Sequence, residues 1–148
     1  MASQQQPENF YVQKIEDLTF FQGDTVTIPF AWYDGYNNPI DLSNVDIYWY
    51  LCPYGKYNMP VITLSESDLD SSGVPKITID ETEPNLCFIH LTEEDTGQLD
   101  YIKYTQQPVL VFKNSRGTRK YLRAEGNIIF KPEIKEDDEI QTLIRRRY

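Results

Sequence analysis

The side chains most able to do chemistry in this chain are its one histidine, His90, and its two cysteines, Cys52 and Cys87. A structural zinc site needs four ligands at close spacing, and these three residues cannot supply them. Cys87 and His90 could form a nucleophile and base pair, but they lie three positions apart on an expected strand, so they point to opposite faces. We therefore expect no metal, no cofactor and no catalytic residue. Both cysteines are interpreted as buried free thiols, and a bridge between them stays open.

Acidic segments offer a second kind of chemistry. Residues 68–73 copy the opening of a calcium-binding loop, but Ile79 stands where the bidentate glutamate belongs, and no helices flank the segment. The carboxylates at 80–83 and 93–95 fall in expected loops with no apolar pocket around them. Solvated loop acids are the interpretation that these patterns favour. The chain is predicted not to be an enzyme and not to bind a small-molecule substrate.

Basic residues cluster on an expected hairpin, with Tyr121 between them: Lys113, Arg116, Arg119, Lys120 and Arg123. Such a cluster could bind nucleic acid, but the net charge of −9 opposes binding to phosphate. A protein partner with an acidic face, including another copy of this chain, is favoured instead.

Tyrosines are concentrated in the first half of the chain, at positions 33, 36, 48, 50, 54 and 57. They suit either a subunit contact or the stacking of sugars.

Charge is unevenly distributed along the chain. Residues 1–100 carry 17 acids against three lysines, whereas residues 101–148 carry six acids against 11 Lys and Arg, which gives −14 and +5. The two parts of one domain can interleave in space and balance each other. The alternative is a polar molecule that docks head to tail on copies of itself or on a partner.

Alternation of apolar and polar residues predicts that most of the chain forms β-strands. Residues 26–32 and 45–52 alternate strictly, with Trp32 and Trp49 on the apolar side. Shorter strands are expected at 18–21, 61–64, 77–79, 86–91, 109–112, 120–122 and 128–130. Gly117 stands where a hairpin turn favours positive φ, and Pro29 predicts an edge strand or a bulge. Many short strands with polar turns predict a sandwich or a barrel.

Two segments predict helix. Thr92 is expected to cap one short turn, which carries acids at 93–95 and stops at Gly97. Near the C-terminus, acidic residues 136–139 precede an apolar helical face and an arginine run. A helix of about ten residues is not stable alone, so its apolar face either packs on its own domain or docks on a neighbour.

The length of 148 residues suits one domain with one hydrophobic core. We expect a polar, flexible N-terminal arm at 1–14, a β-sandwich domain at 15–131 and a short helical or extended tail at 132–148, with Pro132 at the junction. No apolar run approaches the roughly 20 residues of a membrane helix, and the N-terminus lacks the pattern of a secretory signal. Synthesis in the cytoplasm and no membrane partner are the resulting expectations.

The order of short motifs across residues 16–131 carries a resemblance. Residues 20–25 open the first long strand, residues 34–43 connect it to the second, and the later steps are Leu91 to Thr96, Tyr101 to Tyr104 and Gly126 before the last strand. This order resembles immunoglobulin-like domains of tailed-phage virion proteins and is similar to the N-terminal domain of baseplate upper proteins. The resemblance implies an all-β, immunoglobulin-like antiparallel β-sandwich and no catalytic residues. The long loop 65–74 and residues 106–108, expected to interrupt a strand, depart from the pattern and leave the virion part open.

We therefore expect a non-enzymatic virion structural protein of a tailed phage, an assembly module in a tail, baseplate or head-surface complex such as capsid decoration. Its expected partners are other virion proteins and copies of itself, with neither nucleic acid nor membrane among them. The residues predicted to contact partners are Ile140, Leu143 and Ile144 in a groove of a neighbour, Arg145, Arg146 and Arg147 on acidic loops, and the basic residues Lys113, Arg116 and Arg119.

A carbohydrate-binding module is the alternative from a different class. In that alternative Trp32, Trp49 or exposed tyrosines stack on a glycan. Both tryptophans share the parity of buried Val and Ile, which favours a core position over a ligand platform.

Overall fold

The computed structural model describes residues 12–100, 102–113, 116–117 and 119–132, which form a sandwich of two β-sheets. The strands are β1 Val12–Lys14, β2 Leu18–Phe21, β3 Val26–Ala31, β4 Asp46–Pro53, β5 Ile62–Ser65, β6 Ile77–Ile79, β7 Leu86–Leu91, β8 Lys103–Lys113 and β9 Arg119–Lys131. One short helix, α1, spans Glu93–Gly97, and a 3-10 turn spans Leu42–Asn44. Within these ranges no helix has the length and the hydropathy needed to cross a bilayer.

The larger sheet has the order β1-β9-β8-β4-β5, with β2 also on β9, and the smaller sheet has the order β3-β7-β6. In immunoglobulin lettering, β3, β7 and β6 correspond to strands B, E and D, and β9, β8, β4 and β5 to strands G, F, C and C′. The predicted all-β sandwich is confirmed. Its pairings are antiparallel except for β1 and β2, which run parallel to β9.

The core lies between the two sheets and is filled by alternate residues of the long strands. β3 follows a strict buried and exposed alternation, β7 buries every second residue, and β4 does so as far as Leu51, after which Cys52 is buried too. Trp32 and Trp49 are only 2% and 0% exposed, so their predicted core position is confirmed. Pro29 lies on β3, an edge strand of the smaller sheet, where its missing N–H costs no ladder hydrogen bond.

The parallel edge of the larger sheet contains a bulge. Lys14 pairs with Glu125 and Leu18 with Ile128, so three residues of the edge face two residues of β9. Gly126 lies opposite this bulge, and a Cβ added there would lie 2.5 Å from Cγ1 of Ile15. The expected arm at 1–14 therefore needs a correction, because Val12–Lys14 form β1 of the sandwich. The rest of that arm and tail residues 133–148 lie outside the described residues.

β8 shows a second correction, because residues 106–108 do not interrupt a strand. β8 runs continuously from Lys103 to Lys113, and Gln106, Gln107 and Pro108 all pair with β4. The ladder to β9 skips residues 107 and 108 and then resumes in the same register. A central strand tolerates this proline because β4 holds the other side of the strand.

The hairpin of β8 and β9 is confirmed, and Gly117 in its turn has φ 81° as expected. The strands expected separately at 120–122 and 128–130 form one strand, β9.

The helical turn at 93–97 is also confirmed. Thr92 accepts from the Asp95 backbone N–H, and the Asp95 carboxylate accepts from the Thr92 N–H, which completes a capping box. Asp95 also pairs with Lys76 at 2.9 Å.

Cys52 and Cys87 are both free and buried, which confirms the interpretation as unbridged thiols. Burial raises the pKa of Cys87 to about 11. The thiol of the unfolded chain has a pKa of about 8.5, so above that pH the unfolded state loses its proton first. Folding stability linked to this thiol is therefore complete below about pH 8.5 and falls as the pH rises toward the folded pKa.

We expect the free energy of unfolding to drop by up to ~3 kcal/mol more in the native chain than in a Cys87→Ala variant between pH 8 and pH 10.5. Urea denaturation at the two pH values gives the change in the free energy of unfolding with pH, here called the slope, for each protein. Comparison with the variant removes the contribution of other groups that titrate in this range. Equal slopes in the two proteins would show that Cys87 is not shielded from solvent.

Candidate functional site

The outward face of the larger sheet forms an open groove of about 540 Å³, here called the outer groove. Its lining comes from β4, the β4–β5 loop, β8 and β9: Asp46, Tyr48, Tyr50, Cys52, Tyr57, Pro60, Gln107, Val109, Val111, Lys113, Arg119, Tyr121 and Arg123. On each of the three strands these residues alternate with core residues, because successive side chains point to opposite faces. The groove is therefore the reverse side of the sheet that carries Trp49 in the core.

Strand register fixes which side chains face each other across the outer groove. Tyr48 pairs with Val109, and Val109 pairs with Arg123, so the three lie in one row across β4, β8 and β9. Asp46 and Tyr121 flank Val111 in the next row. Each row thus has an aliphatic centre on β8 between side chains of β4 and β9.

The floor of the outer groove is apolar. Val109 and Val111 are each only 6% exposed although they point away from the core. Leu110, between them, is fully buried on the core side. β8 is therefore apolar on both faces here, which is the pattern of a strand covered on both sides.

Tyrosines form the wall on the β4 side. The rings of Tyr48 and Tyr50 are nearly parallel, with centroids 6.4 Å apart. Burial raises the pKa of Tyr50, and the neighbouring Tyr48 adds to this effect. Tyr57 reaches the wall from the β4–β5 loop, and its carbonyl oxygen accepts from the Cys52 thiol at 3.4 Å. Burial also raises the pKa of Cys52, which keeps this thiol protonated and a poor nucleophile.

Cations form the wall on the β9 side and at one end. Lys113 pairs with Asp46 at 3.4 Å and faces Arg119 across the hairpin. The Arg123 guanidinium lies 4.8 Å from the centre of the Tyr121 ring. Two of the predicted contact residues, Lys113 and Arg119, therefore lie in one groove. Arg116 is exposed in the hairpin turn and does not line the groove.

The remaining predicted contact residues, Ile140, Leu143, Ile144, Arg145, Arg146 and Arg147, lie outside the described residues. Sequence reasoning missed Val109 and Val111 as part of a site. The signal was present, since residues 109–112 are apolar at every position and a strand with one solvated face alternates instead. It also missed that Tyr48 and Tyr50 lie near the basic hairpin, because strand pairing between β4 and β8 is not local in the sequence.

His90 lies on the outward face of the smaller sheet, between two threonine hydroxyls. Its Nε2 is 2.8 Å from the Thr78 hydroxyl, and its Nδ1 is 3.3 Å from the Thr27 hydroxyl. Cys87 points into the core, so the expectation that Cys87 and His90 face opposite sides is confirmed. In the part of the chain that the structure describes, no three His, Cys, Asp or Glu residues lie together as metal ligands would.

Residues 68–73, which resemble the start of a calcium loop, form a tight turn. The Asp70 carboxylate accepts from the backbone N–H groups of Ser72 and Val74. These hydrogen bonds, led by that from Val74, lower the pKa of Asp70. This carboxylate is thus engaged in holding its own loop.

No protein-family model matches this chain, and a search of curated proteins finds no match.

Proposed function

We propose that this chain is a non-enzymatic structural protein, an assembly module that binds neighbouring proteins in the virion of a tailed phage. The observation that supports binding is the outer groove, in which aromatic rings and guanidinium groups surround an apolar floor. Tyr and Arg are the residues that most often dominate protein interfaces, because they bury a large apolar area and keep a polar group at the edge. The motif order of residues 16–131 supports the virion as the setting.

The rigidity of the groove also supports a role in assembly. β8, in the centre, is paired with β4 at residues 104–111, and it is paired with β9 on both sides of residues 107 and 108. A partner that binds here meets side chains whose backbone is already ordered, so little entropy is lost on binding. Such a surface suits a permanent contact between virion subunits.

The test is the protein composition of purified phage particles. Peptides of this chain are expected in the particle at a fixed copy number, retained after a high-salt wash. If a phage expresses the chain but its purified particles do not contain the chain, the proposal is contradicted. The separate head and tail fractions then assign the chain to a part of the particle.

Incorporation into the particle is also expected to depend on the outer groove. A double substitution, Tyr48→Ala and Tyr50→Ala, should lower the copies per particle by roughly tenfold or more, because it removes the aromatic wall. Tyr36→Ala is the matched control, since Tyr36 is 82% exposed and lies in a loop away from the groove. Quantitative mass spectrometry of particles from a complemented deletion phage measures both. Equal loss in variant and control, or no loss in either, would remove the groove from the assembly contact.

The carbohydrate-binding alternative can rest on tyrosines but not on tryptophans. Trp32 and Trp49 are buried in the core, so a glycan platform built on them is wrong. The stacked rings of Tyr48 and Tyr50 in an open groove keep a tyrosine version in consideration. Titration of the full chain with a panel of oligosaccharides tests this version. Saturable binding that the Tyr48→Ala and Tyr50→Ala variant loses would favour the glycan over the protein partner.

A further inference from the structure

The charge of the outer groove restricts what can bind there. Lys113, Arg119 and Arg123 line it, and the single acid among the described lining residues, Asp46, is already paired with Lys113. A symmetric pairing of two copies, groove against groove, would bring these cations together, which opposes an isologous dimer through this face. The occupant that the charges favour is acidic.

The chain itself contains a segment of that chemistry. Residues 133–139 hold five carboxylates, at 133, 136, 137, 138 and 139, and a single cation, Lys135. Ile134 lies within this run and Ile140 follows it, so apolar side chains accompany the acids. Carboxylates suit the guanidinium groups of Arg119 and Arg123, and an isoleucine suits the valine floor.

The acidic run is too short to fill the outer groove of its own domain. Arg119 and Lys131 are the two ends of β9, and this strand of 13 residues separates them by about 35–40 Å. From Lys131 to Asp138 the chain spans at most about 25 Å when fully extended. The run therefore cannot bring its central acids to Arg119 of the same copy, whereas a neighbouring copy can present the run to the whole groove.

We propose that the outer groove receives the acidic segment 133–139 of a second copy of this chain and so links copies head to tail. This inference rests on the proposed assembly function and names one of its partners. The contact is heterologous, since the groove of one copy binds the segment of the next. Copies linked in this way form a ring or an open fibre, depending on the rotation between them.

Complementation between two full-length variants tests the proposal. The groove variant carries Arg119→Gln and Arg123→Gln, and the tail variant carries Glu136→Gln, Asp137→Asn, Asp138→Asn and Glu139→Gln. Because the tail variant leaves every described residue of the sandwich unchanged, it stays informative if the groove variant folds poorly. A control with Lys103→Gln and Lys131→Gln removes two positive charges outside the groove.

Light scattering at low salt is expected to show association of the native chain that grows with concentration and weakens at high salt. Each variant alone should associate at least roughly tenfold more weakly than the native chain, and the control should associate as strongly as the native chain does. Mixed in equal amounts, the two variants should form a dimer and nothing larger, because one supplies a working segment and the other a working groove.

Three results would overturn the proposal: a native chain that stays at the monomer mass, variants that associate as the native chain does, or a mixture that stays monomeric. None of them would by itself remove the proposed function, which fails only if the chain is absent from purified particles. Incorporation of the variants at native level, with association lost, would leave the function intact with a different partner in the groove.

Discussion

Replacing Gly126 by alanine is expected to lower the free energy of unfolding by about 2–3 kcal/mol, as overpacking at a close contact does. The added Cβ would lie 2.5 Å from Cγ1 of Ile15 and 2.9 Å from the Ile15 carbonyl oxygen. A side chain can turn away, but a carbonyl oxygen moves only with its backbone. The bulge between β1 and β2 would have to shift away from β9, which weakens both parallel pairings. The midpoint of urea denaturation measures the loss.

Gly35→Ala is the matched control for this prediction. A Cβ at Gly35 meets no atom within 4 Å, and its φ is not positive. The same chemical change there should alter stability by no more than about 1 kcal/mol, and a small gain is expected because alanine restricts the unfolded chain. If Gly126→Ala were as harmless as Gly35→Ala, the bulge would be free to move and the close packing of Ile15 would be unimportant.

The buried hydrogen bond between Trp49 and Gln106 is expected to be costly to break from either side. Trp49 and Gln106 are both fully buried, and the Trp49 indole N–H donates to Oε1 of Gln106 at 2.9 Å. Trp49→Phe leaves a cavity and an unpaired amide, so we expect a loss of about 2–4 kcal/mol. Gln106→Leu leaves the indole N–H without its acceptor, and a loss of about 1–3 kcal/mol is expected.

The double variant separates the hydrogen bond from the packing. Nε2 of Gln106 has no hydrogen-bond partner among the described residues, so leucine also removes a buried donor that is costly in the native protein. When Trp49→Phe and Gln106→Leu are combined, no polar side-chain atom of this pair is left, and the loss should be smaller than the sum of the single losses by about 1–2 kcal/mol. Additive losses, obtained from urea midpoints of all four proteins, would mean that the hydrogen bond contributes nothing beyond packing.

The same pair illustrates why part of the fold could not be predicted from the sequence. β3, β4 and β7 were predictable because their buried residues recur at every second position, and the local pattern carries that information. Residues 105–108 of β8 are polar or proline, which is typical of a loop. Gln106 is nevertheless in a central strand, because Trp49, 57 positions earlier, satisfies its carbonyl oxygen. A contact of that range leaves no local signal.

The outer groove was predictable only in pieces. The basic hairpin with Lys113 and Arg119, and the tyrosine cluster with Tyr48 and Tyr50, were both evident from residue types. Their position on one face depends on the pairing of β4 with β8, whose register no local pattern sets. Likewise, the bulge that requires Gly126 depends on the parallel pairing of β1 and β2 with β9, which single-sequence patterns do not reveal.

The position of β9 sets the order in which the domain can be built during translation. β9 lies between β8 on one side and β1 and β2 on the other, so the first described strands bond only to the last one. While the ribosome is still making the chain, β2 has no partner in the larger sheet and one edge of β8 stays open. Contacts of such long range form slowly, because a long loop must close first. The larger sheet therefore cannot be completed before β9 has been synthesised, and the unpaired edges of the nascent chain are the surface a chaperone would cover.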